Sequence, residues 1–287
     1  KNIKNKYNYF MNVSDLSKIK ELRYITVEHL PGHMNMAIDE ALSLCLGEKR
    51  DYVYLRLYCW RPSCLTFGYN QRISTILNFE EADSAGIDYV RRISGGKMVY
   101  HNDEYTFSLG FPVEFLKYRL GAATFIEMFK YAVGPLVKAL CKSGVPARFS
   151  SPHEMSSDSG NKIHCYAAAA GHSIFADDCK LVGAAGFFKN ECLVIHGSIP
   201  IVSAFPPDGV FLKKNTAVDN VKIASLSAYL TRPKIADLPD LIADTYSDSL
   251  ELKINKLTTE ELKPEEKTLA ENLSKDKYQN LVWTKIK

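Results

Sequence analysis

The stretch RRISGGKMVYH (residues 91–101) ends a predicted strand and enters a Ser-Gly-Gly turn. Two glycines after a strand let the backbone approach a ligand closely and expose amide donors to it. Arg92 and Lys97 flank the turn and could hold an anionic or carbonyl group. A tight turn with solvated basic side chains is an equally good interpretation of this stretch alone. The stretch is not a phosphate loop, because neither glycine-rich phosphate pattern is present.

On both sides of this turn, strand and helix patterns follow one another irregularly. Alternating or short apolar runs predict strands over 23–30, 52–60, 64–70, 88–93, 98–112, 172–177, 180–188 and 192–202. Helical spacing predicts helices over 33–46, 79–87, 122–144, 238–252 and 259–275. The strands do not alternate strictly with crossover helices, so a doubly wound parallel sheet is disfavoured. We expect an α+β (α/β) fold with a mixed sheet and flanking helices.

Length and composition suggest one large domain with small additions at both ends. Residues 1–22 are predicted to form an N-terminal arm, 23–250 the main domain and 251–287 a C-terminal helical appendage. A net charge of +3 is too small to argue for nucleic acid as a partner. No apolar run approaches the roughly 18 residues of a membrane helix. With no export signal either, the expected location is the cytoplasm, away from membranes.

The seven cysteines favour neither a disulfide framework nor a metal site. Their number is odd, their spacing is wide and no C-x-x-C pair occurs. In a reducing compartment most of them are expected to be small buried hydrophobic residues. The sequence therefore predicts no bound metal and at most one or two reactive thiols.

A second informative stretch, residues 164–199, combines a cysteine, a lysine and many small residues. Cys165 follows a polar loop and precedes a run of alanines, and Lys180 opens the segment KLVGAAG. A lysine beside apolar surface can act as a base, and a cysteine near a cation ionises more readily. Together they would suit acyl transfer through a thioester. Taken singly, a buried structural cysteine and a surface lysine are the more common interpretations.

Several motifs in order resemble one known family. They are NMAIDEAL (35–42), RLYCWRPSCLTFGYNQ (56–71), RRISGGKMVYH with EYTFS (104–108), KLVGAA (180–185) and HGSI (196–199). From about Arg23 to Lys287 the chain resembles the lipoate/octanoate transferases, which share a catalytic domain with the biotin/lipoate protein ligases. The resemblance implies a biotin/lipoate protein ligase-like catalytic domain over 23–250, with a mixed sheet and flanking helices.

Within this family the chain is most similar to octanoyltransferases of the LipM type. Those have a cysteine fifteen positions before the motif lysine, and here 180 − 165 = 15. The resemblance therefore implies that Cys165 is the nucleophile and Lys180 the base. The neighbouring Cys179 and the strand residue Cys192 are interpreted as structural.

The resemblance also implies an acyl tunnel with two walls. One wall comes from the opening stretch and the other from residues 180–197, with narrow apolar space between them for an eight-carbon chain. The residues implied to line these walls are Arg92, Ser94, Gly95, Gly96 and His101 on one side, and Lys180, Gly183, Ala184, His196 and Gly197 on the other.

The implied activity is octanoyl transfer from octanoyl-acyl carrier protein to a lysine of a lipoyl domain or of the glycine cleavage H protein, with no metal or nucleotide cofactor. Amidotransfer between lipoyl-bearing proteins would use the same pair of residues and remains open. An ATP-dependent lipoate ligase is disfavoured by Cys165 and by Lys97, which stands where ligases usually have a third glycine. An inactive carrier-binding module and a biotin ligase are the remaining, weaker alternatives.

Overall fold

The computed structural model describes residues 19–151, 173–212 and 223–285. Most of the predicted N-terminal arm (1–22) lies outside the described residues. The predicted nucleophile Cys165 lies outside them too. The predicted base Lys180 and every other predicted wall residue are described.

Within the described ranges, the largest element is a nine-stranded mixed sheet. Its spatial order is β12-β1-β3-β7-β11-β10-β9-β8, with the short β2 paired to β3. The pairs β12–β1, β1–β3 and β2–β3 are parallel, and the pairs from β3 to β8 are antiparallel. The strands are β1 Glu21–Ile25, β2 His29–Leu30, β3 Val53–Trp60, β7 Glu104–Pro112, β8 Ala147–Phe149, β9 Ile174–Ala176, β10 Cys179–Lys189, β11 Cys192–Pro200 and β12 Lys253–Leu257.

Helices cover both faces of this sheet because alternate side chains of each strand point to opposite faces. On β3, Leu55 and Leu57 belong to the core under α3 Val113–Leu120, α4 Phe125–Ser143 and α5 Arg232–Leu250. Tyr54 belongs to a second core on the other face, under α1 Gly32–Lys49 and α6 Pro264–Leu273.

The start of α4 follows from local sequence. The Thr124 hydroxyl accepts a hydrogen bond from the Glu127 amide at 3.3 Å, and Glu127 accepts one from the Thr124 amide at 2.7 Å. This reciprocal pair satisfies two backbone donors that the first helical turn leaves free. Gly144 ends the helix with φ near 111°, a conformation that glycine adopts without strain.

A three-stranded sheet faces the large one near the start of α1. It has the order β5-β4-β6, from β4 Cys64–Phe67, β5 Asp88–Arg91 and β6 Val99–His101, with the short helix α2 Phe79–Ser84 beside it. A β-carbon at Gly32 would lie 2.6 Å from the sulfur of Cys64, so only glycine lets α1 approach β4 so closely. The small sheet is therefore held over the strands β10 and β11 by α1.

The fold predicted from sequence is confirmed as a mixed sheet with flanking helices, and its details differ in three places. The run 23–30, predicted as one strand, forms the two strands β1 and β2. The run 98–112, predicted as one strand, is divided into β6 and β7 by a turn at Asn102 and Asp103. The C-terminal segment 251–287, predicted as helical, contains the strand β12, which pairs with β1. The placing of a domain boundary at residue 250 stays a prediction.

The C-terminal helices pack tightly on the rest of the chain. The guanidinium of Arg23 in β1 makes two hydrogen bonds to the Glu266 carboxylate in α6, at 2.5 and 2.8 Å, and both side chains are buried. After α6 come a π-helical turn, Ser274–Tyr278, and the four-residue helix α7, Leu281–Thr284.

A helix that spans a membrane must be both long and apolar. Over the described ranges no single helix meets both requirements. One pair, Val113–Leu120 with Phe125–Ser143, meets them together by length and composition but is bent by 91°.

Candidate functional site

A space of about 390 Å³, part of it open to solvent, lies between the two sheets, and we call it the intersheet cavity. The small sheet contributes one wall, strands β10 and β11 contribute the facing wall, and Met36 of α1 reaches it from the side. Predicted wall residues that line it are Arg92, Gly96 and His101 on the first side, and Gly183, Ala184, His196 and Gly197 on the second.

The remaining predicted residues lie in other positions. Ser94 is buried but is not part of the lining, and Gly95 is exposed with open space around its α-carbon. Lys180 is buried in β10, three residues before the lining residue Gly183, and is not itself part of the lining.

In the β10–β11 wall, Gly197 has no room for a side chain on the face of the sheet that points away from the cavity. Ala184 pairs with Gly197 across the two strands. A β-carbon at Gly197 would lie 2.6 Å from the ring of Phe107 and 2.9 Å from the β-carbon of Ala184. Phe107 is buried in β7, so its ring has no room to move aside. Position 197 therefore presents backbone to the cavity, and the methyl group of Ala185 faces Gly96 across it.

The opposite wall is shaped by residues 94–97, which we call the glycine turn. Gly96 has φ near 91°, a left-handed conformation that disfavours other residues. A β-carbon there would lie 3.7 Å from that of Ala185 on the facing wall. The glycine turn thus comes within one methyl group of β10 at the exposed end of the intersheet cavity.

Arg92 holds the glycine turn in place. Its guanidinium donates to the carbonyl oxygen of Thr66 at 2.8 Å, to that of Lys97 at 2.9 Å and to that of Gly95 at 3.3 Å. It also donates to the Thr66 hydroxyl at 2.6 Å. The sequence suggested a carbonyl or anion as the partner of this side chain, and the chain itself supplies carbonyl groups and the Thr66 hydroxyl as acceptors.

A buried carboxylate organises the deep end of the intersheet cavity. Glu104 accepts hydrogen bonds from His101 Nδ1 at 2.7 Å and from the hydroxyls of Thr106 and Ser198, both at 2.5 Å. The indole of Trp60 donates to Thr106 Oγ1 at 2.8 Å and stacks on His101 with ring centroids 4.1 Å apart. These mutual contacts satisfy polar groups that would otherwise be costly to bury.

A second buried group surrounds His196. Its Nε2 forms a short hydrogen bond with the Ser94 hydroxyl, and its Nδ1 lies 3.9 Å from Asp39 Oδ2. Asp39 also accepts from Arg56 and from the Tyr58 hydroxyl, both at 2.8 Å. Burial lowers the pKa of His196 more than the nearby Asp39 raises it, so the imidazole is neutral near pH 7.

The pKa of the Asp39 carboxylate is lowered, which is the usual direction for an acid with a cationic partner. Burial alone would raise its pKa, but hydrogen bonding to His196 and the charge of Arg56 together lower the pKa below its ordinary value. Asp39 is thus a buried, compensated anion beneath His196.

Sequence reasoning missed several of these side chains. Asp39 and Glu104 were not predicted as site residues, and neither were the lining residues Trp60 and Thr106. The segment EYTFS (104–108) contained a pattern that indicates two of them. Glu104 and Thr106 alternate with apolar residues, so their side chains lie on the same face of β7. Over the described residues no group of His, Cys, Asp and Glu could hold a metal ion.

Comparison with known proteins identifies the family. The model of the lipoyl protein ligase A/B catalytic domain matches residues 31–247. Octanoyltransferase LipM of Clostridioides difficile is 31% identical over 183 residues, which span 63% of this chain and 66% of the relative, just under two thirds. Octanoyltransferase LipM of Symbiobacterium thermophilum is 28% identical over 269 residues, spanning 89% and 95%.

Solved structures agree on the fold. Lipoate-protein ligase A bound with ATP has a TM-score of 0.72 and 21% identity, covering 92% of this chain and 98% of its own. A bi-partite lipoate protein ligase from Thermoplasma acidophilum has a TM-score of 0.69 and 19% identity, covering 93% and 96%. The resemblance and the fold expected from the sequence motifs are confirmed by these matches. By the extent of the family match, this chain is a member of the lipoyl protein ligase A/B catalytic domain family.

Proposed function

We propose that this chain is an acyltransferase of lipoate biosynthesis. It would move an octanoyl group from octanoyl-acyl carrier protein to a lysine of a lipoyl domain or of the glycine cleavage H protein. The names of its relatives support octanoyl transfer. The observation that carries the proposal is the intersheet cavity, whose facing walls are built from small residues and a glycine turn.

The intersheet cavity suits an unbranched alkyl chain. Ala184, Ala185 and Gly197 are small residues of one wall, and Met36, Trp60 and Val99 add apolar surface around it. Burying each methylene contributes about 0.8 kcal/mol, so an eight-carbon chain gains several kcal/mol from this surface. The polar groups at the deep end are occupied with one another and do not require a charged ligand.

In the first half-reaction we assign Cys165 as the nucleophile. Its sulfur attacks the thioester carbonyl of the donor, the carrier thiolate leaves and an octanoyl thioester forms on Cys165. Lys180 accepts the thiol proton and returns it to the departing carrier thiolate. The support is the spacing of the two residues, together with the burial of Lys180 in β10 beside the wall residue Gly183.

In the second half-reaction the ε-amine of the acceptor lysine attacks the Cys165 thioester. An amide bond forms, the Cys165 thiolate leaves and Lys180 carries the amine proton to that thiolate. The structurally similar bi-partite ligase from Thermoplasma acidophilum is described together with its E2 lipoyl domain. This supports a lipoyl domain as the class of acceptor. No ATP is consumed, since the donor is already a thioester.

The test uses one acceptor and two donor mixtures. A lipoyl domain is incubated with the protein and either octanoyl-acyl carrier protein without ATP, or free octanoate with ATP and Mg²⁺. The molecular mass of the acceptor is then measured by mass spectrometry. We expect an octanoyl group on the acceptor only with the carrier-bound donor. Modification only in the ATP mixture would reject octanoyl transfer in favour of the ligase reaction.

A third donor separates the transferase from the amidotransferase. An octanoylated H protein replaces octanoyl-acyl carrier protein in the same assay. Transfer from the carrier protein supports the proposal. Transfer from the H protein alone would mean that the protein is an amidotransferase, with the same chemistry at Cys165 and a different acyl donor.

A further inference from the structure

Arg91, the first arginine of the opening stretch, is fully buried and contacts two distant segments. Its guanidinium donates to the carbonyl oxygens of Gly68, Tyr69 and Gln71, at 3.1, 2.7 and 2.9 Å. The same guanidinium donates to the carbonyl oxygens of Trp283 and Thr284 at 3.0 to 3.2 Å. One side chain therefore joins the loop after β4 to helix α7 at the C-terminal end.

Among the described residues, the acceptors of Arg91 are all backbone carbonyl groups. No carboxylate within the described ranges pairs with its charge. Burial lowers the pKa of Arg91, against a smaller opposing effect of Tyr69. In the part of the chain that the structure describes, the buried charge of Arg91 is stabilised by carbonyl dipoles alone. Loss of any one of these hydrogen bonds is costly, because it leaves a polar group unsatisfied in the interior.

The contact between Arg91 and α7 is reciprocal. The indole nitrogen of Trp283 donates to the backbone carbonyl of Arg91 at 3.0 Å. The Trp283 ring also lies beside Tyr69, with ring centroids 5.9 Å apart. By contrast, the preceding residue Val282 is 71% exposed. Helix α7 is thus attached mainly through Trp283 and Thr284.

The loop that Arg91 holds is in direct contact with the glycine turn. The Tyr69 amide donates to the carbonyl oxygen of Ser94 at 2.9 Å. A β-carbon at Gly68 would lie 2.0 Å from the carbonyl oxygen of Gly96, so the two backbones touch. Gly96 lines the intersheet cavity. A continuous set of contacts therefore leads from α7 through Arg91 and residues 68–71 to the cavity wall.

We propose that Arg91 is a positioning residue through which helix α7 holds residues 68–71 against the glycine turn. The wall of the intersheet cavity is then complete only when the C-terminal helix is docked. This inference deepens the proposed function, because the wall it concerns is the one that would contact the acyl chain. It assigns a role in the site to a segment far from it in sequence.

The first test measures hydrogen exchange in the protein without any acyl donor. Three variants are compared with the wild type: Arg91→Lys, Trp283→Phe and deletion of residues 281–287. We expect the amide hydrogens of Tyr69 and the glycine turn to exchange at least about tenfold faster in the deletion variant. This is the change in exchange rate expected when one hydrogen bond to a buried group is lost. Arg91→Lys, with three donors in place of five, should give a smaller increase.

Two results of this test would overturn the proposal. One is unchanged exchange at Tyr69 in the deletion variant. The other is an equal increase throughout strands β7 and β11, because a general loss of stability would explain it without a positioning role. Val282→Ala, in the exposed part of α7, is the matched control and should exchange like the wild type.

The second test asks whether the positioning affects the reaction. For complete octanoyl transfer to a lipoyl domain, Trp283→Phe should raise KM for the acyl donor about tenfold and leave kcat within about twofold, as expected when binding geometry alone is loosened. Val282→Ala should match the wild type. A fall in kcat with unchanged KM would contradict the positioning role. If the wild type takes up no octanoyl group, the proposed function fails, and hydrogen exchange alone still decides the role of Arg91.

Discussion

The hydroxyl of Ser94 hydrogen-bonds to Nε2 of His196, which joins the glycine turn to strand β11 across 102 positions of the chain. On its other side His196 faces the carboxylate of Asp39, with 3.9 Å between Nδ1 and Oδ2. A neutral imidazole can bridge these groups by donating at one nitrogen and accepting at the other. The two walls of the intersheet cavity are therefore joined by the side chain of His196.

The pH dependence of stability should reveal His196. Its pKa is below the ordinary value of 6.5 in the folded protein, chiefly through burial. As the pH falls below 6.5, the unfolded chain takes up a proton that the folded chain does not, so stability falls. We expect the free energy of unfolding, measured in urea, to decrease as the pH falls from about 8 to 5 in the wild type. His196→Gln should make this decrease smaller, by about 1.4 kcal/mol per unit by which the pKa of His196 is lowered.

The neighbouring polar groups Asp39, Arg92 and His101 are present in both proteins, and the pKa of Asp39, which the hydrogen bond to His196 lowers, changes together with the substitution. Equal slopes for the wild type and His196→Gln would show that the folded protein protonates His196 normally. Such a result would remove the argument for a neutral bridge.

The two glycines of the glycine turn should respond differently to substitution. Gly95 has open space around it, whereas Gly96 has φ near 91° and faces Ala185. An alanine in the left-handed region is strained by about 1–2 kcal/mol. We expect Gly96→Ala to slow octanoyl loading about tenfold and Gly95→Ala to leave it nearly unchanged. Equal rates for both variants, measured by mass spectrometry over time, would disprove the assignment of this wall.

Glu104 should be important for stability. It accepts hydrogen bonds from His101, Thr106 and Ser198 in the interior. In Glu104→Gln the amide NH₂ would meet at least one of these donors, and a buried group without a partner costs roughly 1–3 kcal/mol. Chemical denaturation should show this loss. Glu114→Gln, whose exposed carboxylate pairs with Lys117 at 3.0 Å, is the control and should change stability by less than about 1 kcal/mol.

Apolar periodicity predicted the fold where elements have a buried face. Helix α1, predicted over 33–46, spans Gly32–Lys49, and β3, predicted over 52–60, spans Val53–Trp60. Strand β12 was missed because it is an edge strand whose side chains are exposed or only half-buried, so Lys253 and Lys256 conceal its pattern.

The candidate site was predicted where it depends on small residues and missed where it depends on buried acids. Gly96, Gly183 and Gly197 were recognised in motifs, and all three line the intersheet cavity. Asp39 and Glu104 resemble surface acids in a sequence, because their burial depends on partners far along the chain. The roles of Cys165 and Lys180 stay predictions.

Lys180 should matter for both half-reactions, unlike a second lysine on the same strand. Lys180 is 5% exposed in β10, and Lys189 at the other end of β10 pairs with Glu40 at 3.0 Å. We expect Lys180→Met to slow octanoyl loading and transfer by a factor of roughly 10² to 10⁴, as for loss of a general base. Lys189→Met should retain most activity. Similar rates for the two variants in rapid-mixing assays would dismiss Lys180 as the base.

The most direct test of the whole account is the mass of the protein after brief exposure to octanoyl-acyl carrier protein without ATP or acceptor. Wild type and Cys179→Ala should each gain one octanoyl group, located by peptide mapping on Cys165 and released when a lipoyl domain is added. Cys165→Ala should gain none. An octanoyl group on any other residue, or acceptor modification at the normal rate by Cys165→Ala, would contradict the account.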